Sequence, residues 1–200
     1  IAAVIVDLLR QGHRVGVSSN SHKAINKVLE EVEKRANASQ QAFSGVKKGT
    51  KDDVETHFDG AYVTTVHNSE DVTGAHQLFG GTAFHFCRTD QQGSYDYLIV
   101  DEAGQVSLGN LVAMAGAARN LVLVGDQMQL AQPIQGVHPG ETGLSALDYL
   151  LQGLATVPPE RGILLNESRR MRPEICDFVS EAIYDGRLSA HPDTLRRELV

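Results

Sequence analysis

The stretch YDYLIVDEAGQ, residues 95 to 105, runs an apolar segment into two adjacent carboxylates, Asp101 and Glu102. A second apolar run, NLVLVGDQMQL at 120 to 130, ends in the same manner on Asp126, followed by the amides Gln127 and Gln129. A carboxylate held at the end of a rigid strand suits Mg²⁺, a hard cation that keeps several of its waters. A second carboxylate beside it can take a proton from a water attacking a phosphoryl group, and an amide nearby can hold that water or read the phosphate. On this chemistry Asp101 is the expected Mg²⁺ holder, through water, and Glu102 the expected general base. The plainer reading is that Asp101 caps the next helix and Glu102 sits near its positive end. One such run leaves the two readings balanced; the second acid-ending run tips them toward a nucleotide site.

These residues need elements to position them. IAAVIVDLLRQGHRV has the apolar spacing of a helix, with Gly12 as its stop and no Ser, Thr, Asp or Asn before it. That uncapped start leads to the expectation that the chain is cut from a longer one. RVGVSSNS reads as a strand, and HKAINKVLEEVEKRAN as an amphipathic helix whose LEEVEKR charges form a solvated face. Residues 37 to 60 turn polar and lose any period, which predicts a surface insertion. Strands are expected at 61 to 66 (AYVTTV), 82 to 87 (TAFHFC), 95 to 100 and 120 to 126, with a polar segment ending at Gly80 and Gly81 and a helix over 106 to 117. A Gly- and Pro-rich loop, AQPIQGVHPGETG, leads to the helix LSALDYLLQG, then a strand GILLN and a helix from Pro173 to Tyr184. Apolar strands alternating with helices predict an α/β fold, a parallel sheet with helices on both faces. Pro158 and Pro159 predict a boundary, with one domain over 1 to 157 and the start of another over 158 to 200.

With those elements in place, DEAGQ, GDQMQLAQP and SRRMRPEICDFVSEAIYDGRL resemble motifs II, III and IV of superfamily 1 helicases. The subgroup is the one that includes the nonsense-mediated-decay helicase and the nuclease-helicase of DNA replication, with the nearest likeness to bacterial proteins that carry a RecB-like nuclease ahead of the helicase. VGVSSNSHKAINKVL resembles motif Ia, and GGTAFHFCR the Gly-Thr motif that precedes motif II. The resemblance implies a RecA-like P-loop NTPase fold lacking its first strand and phosphate loop, since no GxxxxGK followed by Ser or Thr occurs. It implies ATP and Mg²⁺ as cofactors, with Asp101 and Glu102 as above and Gln105, Asp126 and Gln129 coupling the nucleotide to the strand. Arg170 matches the arginine that acts as a finger on the γ-phosphate. Ser19, Asn20 and Thr82 match positions that touch the phosphates of a single strand, DNA rather than RNA, without reading its sequence. It also implies a nuclease domain elsewhere in the parent chain, and a fragment inactive without the missing loop. The sequence departs from the pattern at Arg169, where Tyr is usual, and at Arg172, often His; both are read as solvated.

The remaining composition narrows the class. A hydrophobic share of 42% and a charged share of 22% are those of an ordinary globular chain. No apolar run reaches the roughly 18 residues of a membrane helix, so the reading is a cytoplasmic chain without a membrane partner. The net charge of -7 argues against a basic nucleic-acid coat, though not against a local patch. Cys87 and Cys176 lack metal spacing and are expected reduced and buried; the eight His residues show no paired metal spacing either. Met114 and Met128 are read as packing. Two other classes stay open: a P-loop ATPase that is not a helicase, which predicts the Asp-Glu strand end but not GDQMQL or RRMRP, and a non-catalytic RecA-fold interaction domain.

Overall fold

The computed structural model describes residues 1–130, 136 and 138–197. They divide into two compact units, Ile1–Leu147 and Asp148–Val200. In the first, helix α1 (Ala2–Arg10) presents Ile5, Val6, Leu8 and Leu9 to the core and ends before Gly12, whose φ of 84° is open to glycine at little cost. Strand β1 (Val15–Ser18) is buried along its whole length. Helix α2 (His22–Ala38) is capped by Ser21, whose side chain accepts from the Ala24 amide at 3.1 Å. There follow β2 (Gly45–Lys48), β3 (Val63–Val66), β4 (Leu78–Gly80), the short α3 (Ala83–Phe86), β5 (Tyr95–Val100), α4 (Leu108–Ala115) and β6 (Ala118–Leu123), and α5 (Ala146–Leu151) runs across the division into the second unit.

The six strands form one parallel sheet in the order β3-β2-β4-β1-β5-β6. Side chains alternate between its faces. Val15, Val17, Leu78 and Ile99 pack under α1 and α2, whereas Phe79, Leu98 and Val100 pack with Phe86 of α3 and Leu111 and Met114 of α4. The chain is thus α/β with helices on both faces, consistent with a RecA-like domain. Among the described residues no helix is long and apolar enough to cross a membrane.

The second unit holds the parallel pair β7 (Glu167–Ser168) and β8 (Ser189–Ala190) with helix α6 (Pro173–Ile183), which starts on proline. Among its described residues Leu151, Thr156, Cys176, Ser180 and Thr194 are buried, and Ser180 Oγ ties α6 to Leu188 through bonds of 2.9 and 2.8 Å.

Several expectations give way to packing. Residues 37 to 60 are not a surface insertion throughout: they contain β2, an interior strand in which Lys47 is wholly buried. Its Nζ donates to the Thr56 carbonyl and lies 2.9 Å from His22 Nδ1, so a buried cation replaces the apolar residue that would have marked the strand. Residues 82 to 87 form α3, not a strand, and the strand is Leu78–Gly80 just before it. An aromatic cluster decides this, with His85 stacked on Phe79 at 3.9 Å and Phe86 edge-on to Phe79 and Tyr95. GILLN is no strand, and Ile163 and Leu165 are exposed. Cys87 is exposed while Cys176 is buried, and Met128 is exposed while Met114 packs. Glu33, placed on the solvated face, is buried and accepts from the amides of Ala61, Tyr62 and Val63 at 2.8 to 2.9 Å, anchoring the start of β3. Residues 131–135 and 137 of the Gly- and Pro-rich loop lie outside the described residues.

Candidate functional site

The carboxyl edge of the sheet gathers most of the residues singled out above, because parallel strands bring all their carboxyl ends to one side. The Asp101 amide donates to the Ser18 carbonyl at 2.8 Å, tying the end of β5 to the end of β1. On its other flank the Val124 amide donates to Val100, and the Ala103 amide to Val124, both at 2.9 Å, so the turn after β5 is held against the turn after β6. Two glycines permit this approach. A Cβ on Gly104 would lie 2.4 Å from the Asp126 carbonyl oxygen, and one on Gly125 would lie 2.7 Å from the Ala103 amide nitrogen. Neither glycine was singled out from the sequence, although each stands inside a quoted motif, DEAGQ or GDQ.

Glu102 sits at the corner with φ 54° and ψ 41°, the left-handed region, which costs a residue with a Cβ on the order of 1–2 kcal/mol. It makes no side-chain cap bond to the 3-10 turn Ala103–Gln105 that follows, and α4 is capped instead by Ser107, which accepts from Asn110 at 3.2 Å. The capping account of the acidic pair therefore fails. Burial pushes the Asp101 carboxyl above its usual range, partly offset by the Glu102 backbone N–H and by the positive charges of the amino terminus and Lys27. Asp101 forms no ion pair among the described residues. A half-buried carboxylate in no ion pair among the described residues fits a hard cation held largely by water. No group of three acidic, His or Cys side chains converges as a metal cage among the described residues.

Beyond β1, Ser19 is buried and its hydroxyl donates to Asn20 Oδ1 at 3.4 Å. Asn20 Nδ2 in turn donates to Gln105 Oε1 at 2.6 Å, joining the loop after β1 to the turn after β5. Thr82 follows β4 at the same edge, where the Gly81 amide donates to the Val17 carbonyl at 3.0 Å; its hydroxyl makes no hydrogen bond among the described residues. Asp126 organises its own turn, accepting from the Met128 amide at 3.0 Å and from Gln129 Nε2 at 3.3 Å.

Arg170 belongs to the second unit. Its neighbours are committed: Arg169 pairs with Glu167 at 3.2 Å, and Arg172 donates to the Arg197 carbonyl at 3.0 Å and pairs with Glu174 at 3.4 Å. Of the three, Arg170 alone has a guanidinium without a hydrogen bond or ion pair among the described residues; its backbone carbonyl accepts from Arg197 at 3.1 Å. Arg172 is thus engaged within its own unit, with its side chain still 38% exposed.

A parallel α/β sheet whose carboxyl edge carries this acidic corner is consistent with a RecA-like domain. The chain's relatives are helicases. It is 33% identical over 104 residues, 52% of its length, to the DNA replication ATP-dependent helicase/nuclease dna2 of Schizosaccharomyces pombe. It is 33% identical over 115 residues, 54% of its length, to a probable helicase with zinc finger domain of Homo sapiens. Over its whole length it is 24% identical to the DNA replication ATP-dependent helicase/nuclease DNA2 of Xenopus laevis. The chain spans 7%, 6% and 19% of these three relatives respectively. No protein-family profile matches it. Over half or more of its length the chain is thus similar to proteins named as helicases, Dna2-type helicase/nucleases among them.

Proposed function

We propose that these residues are part of an ATP-driven superfamily 1 helicase of the Dna2-like type, in a parent protein that moves along single-stranded nucleic acid, DNA rather than RNA. The observation that carries the reading is the hydrogen bond from Asn20 to Gln105. It joins a residue expected on the strand to one expected at the nucleotide, 2.6 Å apart across the ends of β1 and β5. Asp101 would hold Mg²⁺ through water, and Mg²⁺ would neutralise charge on the phosphates. Glu102, fixed at the strained corner, would take the proton of the attacking water, and strain kept at such a corner is commonly tied to function. Gln129 and Asp126 would report the γ-phosphate to the same edge, Ser19 and Thr82 would hold strand phosphates, and Arg170 would be the arginine finger.

The reading calls for a phosphate-binding loop, which these 200 residues do not contain. The topology supports a place for the strand that would carry it. Helices α1 and α2 pack on one face, and α2 carries the chain from β1 toward β2. Right-handed crossovers on one face all move in one direction. A strand joined to β1 through α1 would therefore lie on the β5–β6 side, at the open edge of β6. There its loop would lead into the start of α1, on the sheet edge that carries Asp101. On this reading the 200 residues alone do not turn over ATP, domain 1 runs over 1–157 and domain 2 begins at 158, and a RecB-like nuclease lies elsewhere in the parent, which is cytoplasmic.

The test is coupling. In the parent protein, Asn20→Ala should leave basal ATP hydrolysis intact and remove most of its stimulation by single-stranded DNA. Undiminished stimulation would contradict the proposed link.

A further inference from the structure

Arg170 stands on the turn between β7 and α6, and a guanidinium at the end of a flexible stem is placed only as well as the backbone beneath it. β7 is two residues long, so its pairing with β8 supports that turn only at the root. Side chains brace the rest. On the near side Ser168 Oγ accepts from the amides of Arg170 at 3.4 Å and Met171 at 3.3 Å. On the far side Arg197 Nη1 donates to the Arg170 carbonyl at 3.1 Å. The bond is returned, because Arg172 Nη1 donates to the Arg197 carbonyl at 3.0 Å.

The segment that carries Arg197 is itself fixed. The His191 amide donates to the Ser168 carbonyl at 2.9 Å, and the 3-10 turn Pro192–Arg196 is locked by the buried Thr194, whose hydroxyl donates to the His191 carbonyl at 2.7 Å. Arg197 has no acidic partner among the described residues, so its charge-assisted bond is spent on a neutral backbone carbonyl and not on an ion pair. That carbonyl belongs to the residue whose own guanidinium is left free. The brace also accounts for Arg172, where the sequence departs from the usual His: its fork reaches the Arg197 carbonyl and Glu174 together. We propose that Arg197 is the positioning residue of the Arg170 finger, holding by its carbonyl the turn from which that side chain extends. The proposal rests on the reading of Arg170 given above and adds to it the residue that keeps the finger in place.

Steady-state ATP hydrolysis by the parent protein at saturating single-stranded DNA tests it. Arg197→Met keeps the apolar stem and removes the donor, and Arg197 is exposed, so the melting temperature should not change. Its kcat should fall by about 10²-fold, the scale of a misplacement of about 1 Å, with KM for ATP unaltered. Arg197→Lys, whose ammonium can donate to the same carbonyl, should recover most of that loss. Arg170→Ala should cost more, about 10³ to 10⁵. In the Arg170→Ala background Arg197→Met should cost nothing further, because a positioning residue acts only through the group it positions. Full turnover in Arg197→Met beside a crippled Arg170→Ala would overturn the positioning role and leave the finger standing. An equal loss from Arg197→Met with and without Arg170, or a lowered melting temperature that Arg197→Lys does not restore, would overturn it likewise. Full turnover in Arg170→Ala would overturn the finger and its positioning together.

Discussion

Asp101 and His85 show burial acting on two titratable groups at opposite ends of the same logic. Removing water disfavours whichever form is charged, so the Asp101 carboxyl is raised while the buried His85 is pushed down from 6.5 to about 4. Among the described residues His85 donates or accepts only within its cluster, with Gln91 and Tyr95, and its buried Nδ1 has no partner. Between pH 4 and 6.5 the unfolded chain binds a proton at this site that the folded chain does not, so the linkage slope is positive and stability falls on acidification. The loss begins below about 6.5 and levels off near 4, on the order of 3 kcal/mol in all, from a shift of about 2.5 units at 1.36 kcal/mol each. Urea titrations across that range should show it, and His85→Gln should flatten the slope there. An equal slope in the variant would place the acid sensitivity elsewhere. None of this was legible in the sequence, where His85 was one of eight histidines without a pattern.

At the scale of elements, the site depends on how closely the turns after β5 and β6 can approach. Gly104 and Gly125 set that distance, because the atoms a Cβ would meet belong to backbone and cannot swing away. Gly104→Ala should therefore cost about 1–3 kcal/mol by overpacking and push the Asp101 corner away from Asp126. Gly74→Ala, where a Cβ meets nothing within 4 Å, is the control and should be neutral in thermal melting. A neutral Gly104→Ala would mean that the turns are free to part. The acidic strand ends were readable because an apolar run closing on a carboxylate is a local pattern. The glycine contact joins residues far apart in sequence, so only the fold brings it out. The same distinction explains α3: TAFHFC alternates like a strand, and the stack of His85 on Phe79 overrides that local preference.

Across the whole molecule the sequence was most legible where apolar periodicity set the layers. β1, β3 and β5, with α1, α4 and α6, fall within the expected stretches, while β6 starts two residues before its stretch and α2 ends one residue past its own, and the parallel α/β architecture follows from their alternation. It was least legible where a polar residue does an apolar residue's work. Lys47 hid β2 and with it the interior position of residues 45–48, and buried Glu33 was taken for a solvated charge. Six parallel strands still leave β6 as an edge, with Leu121 39% exposed, an unusual ending for an apolar strand and the position at which a phosphate-loop strand is proposed.

The central claim is that the corner after β5 is the hydrolytic centre of a strand-driven ATPase. The direct measurement is ATP hydrolysis by the parent protein with single-stranded DNA present, for the unaltered chain and for Glu102→Gln. The account predicts that the variant still binds ATP and that its turnover falls by about 10² to 10⁴, the usual contribution of a positioned general base. Turnover equal to that of the unaltered chain would contradict it.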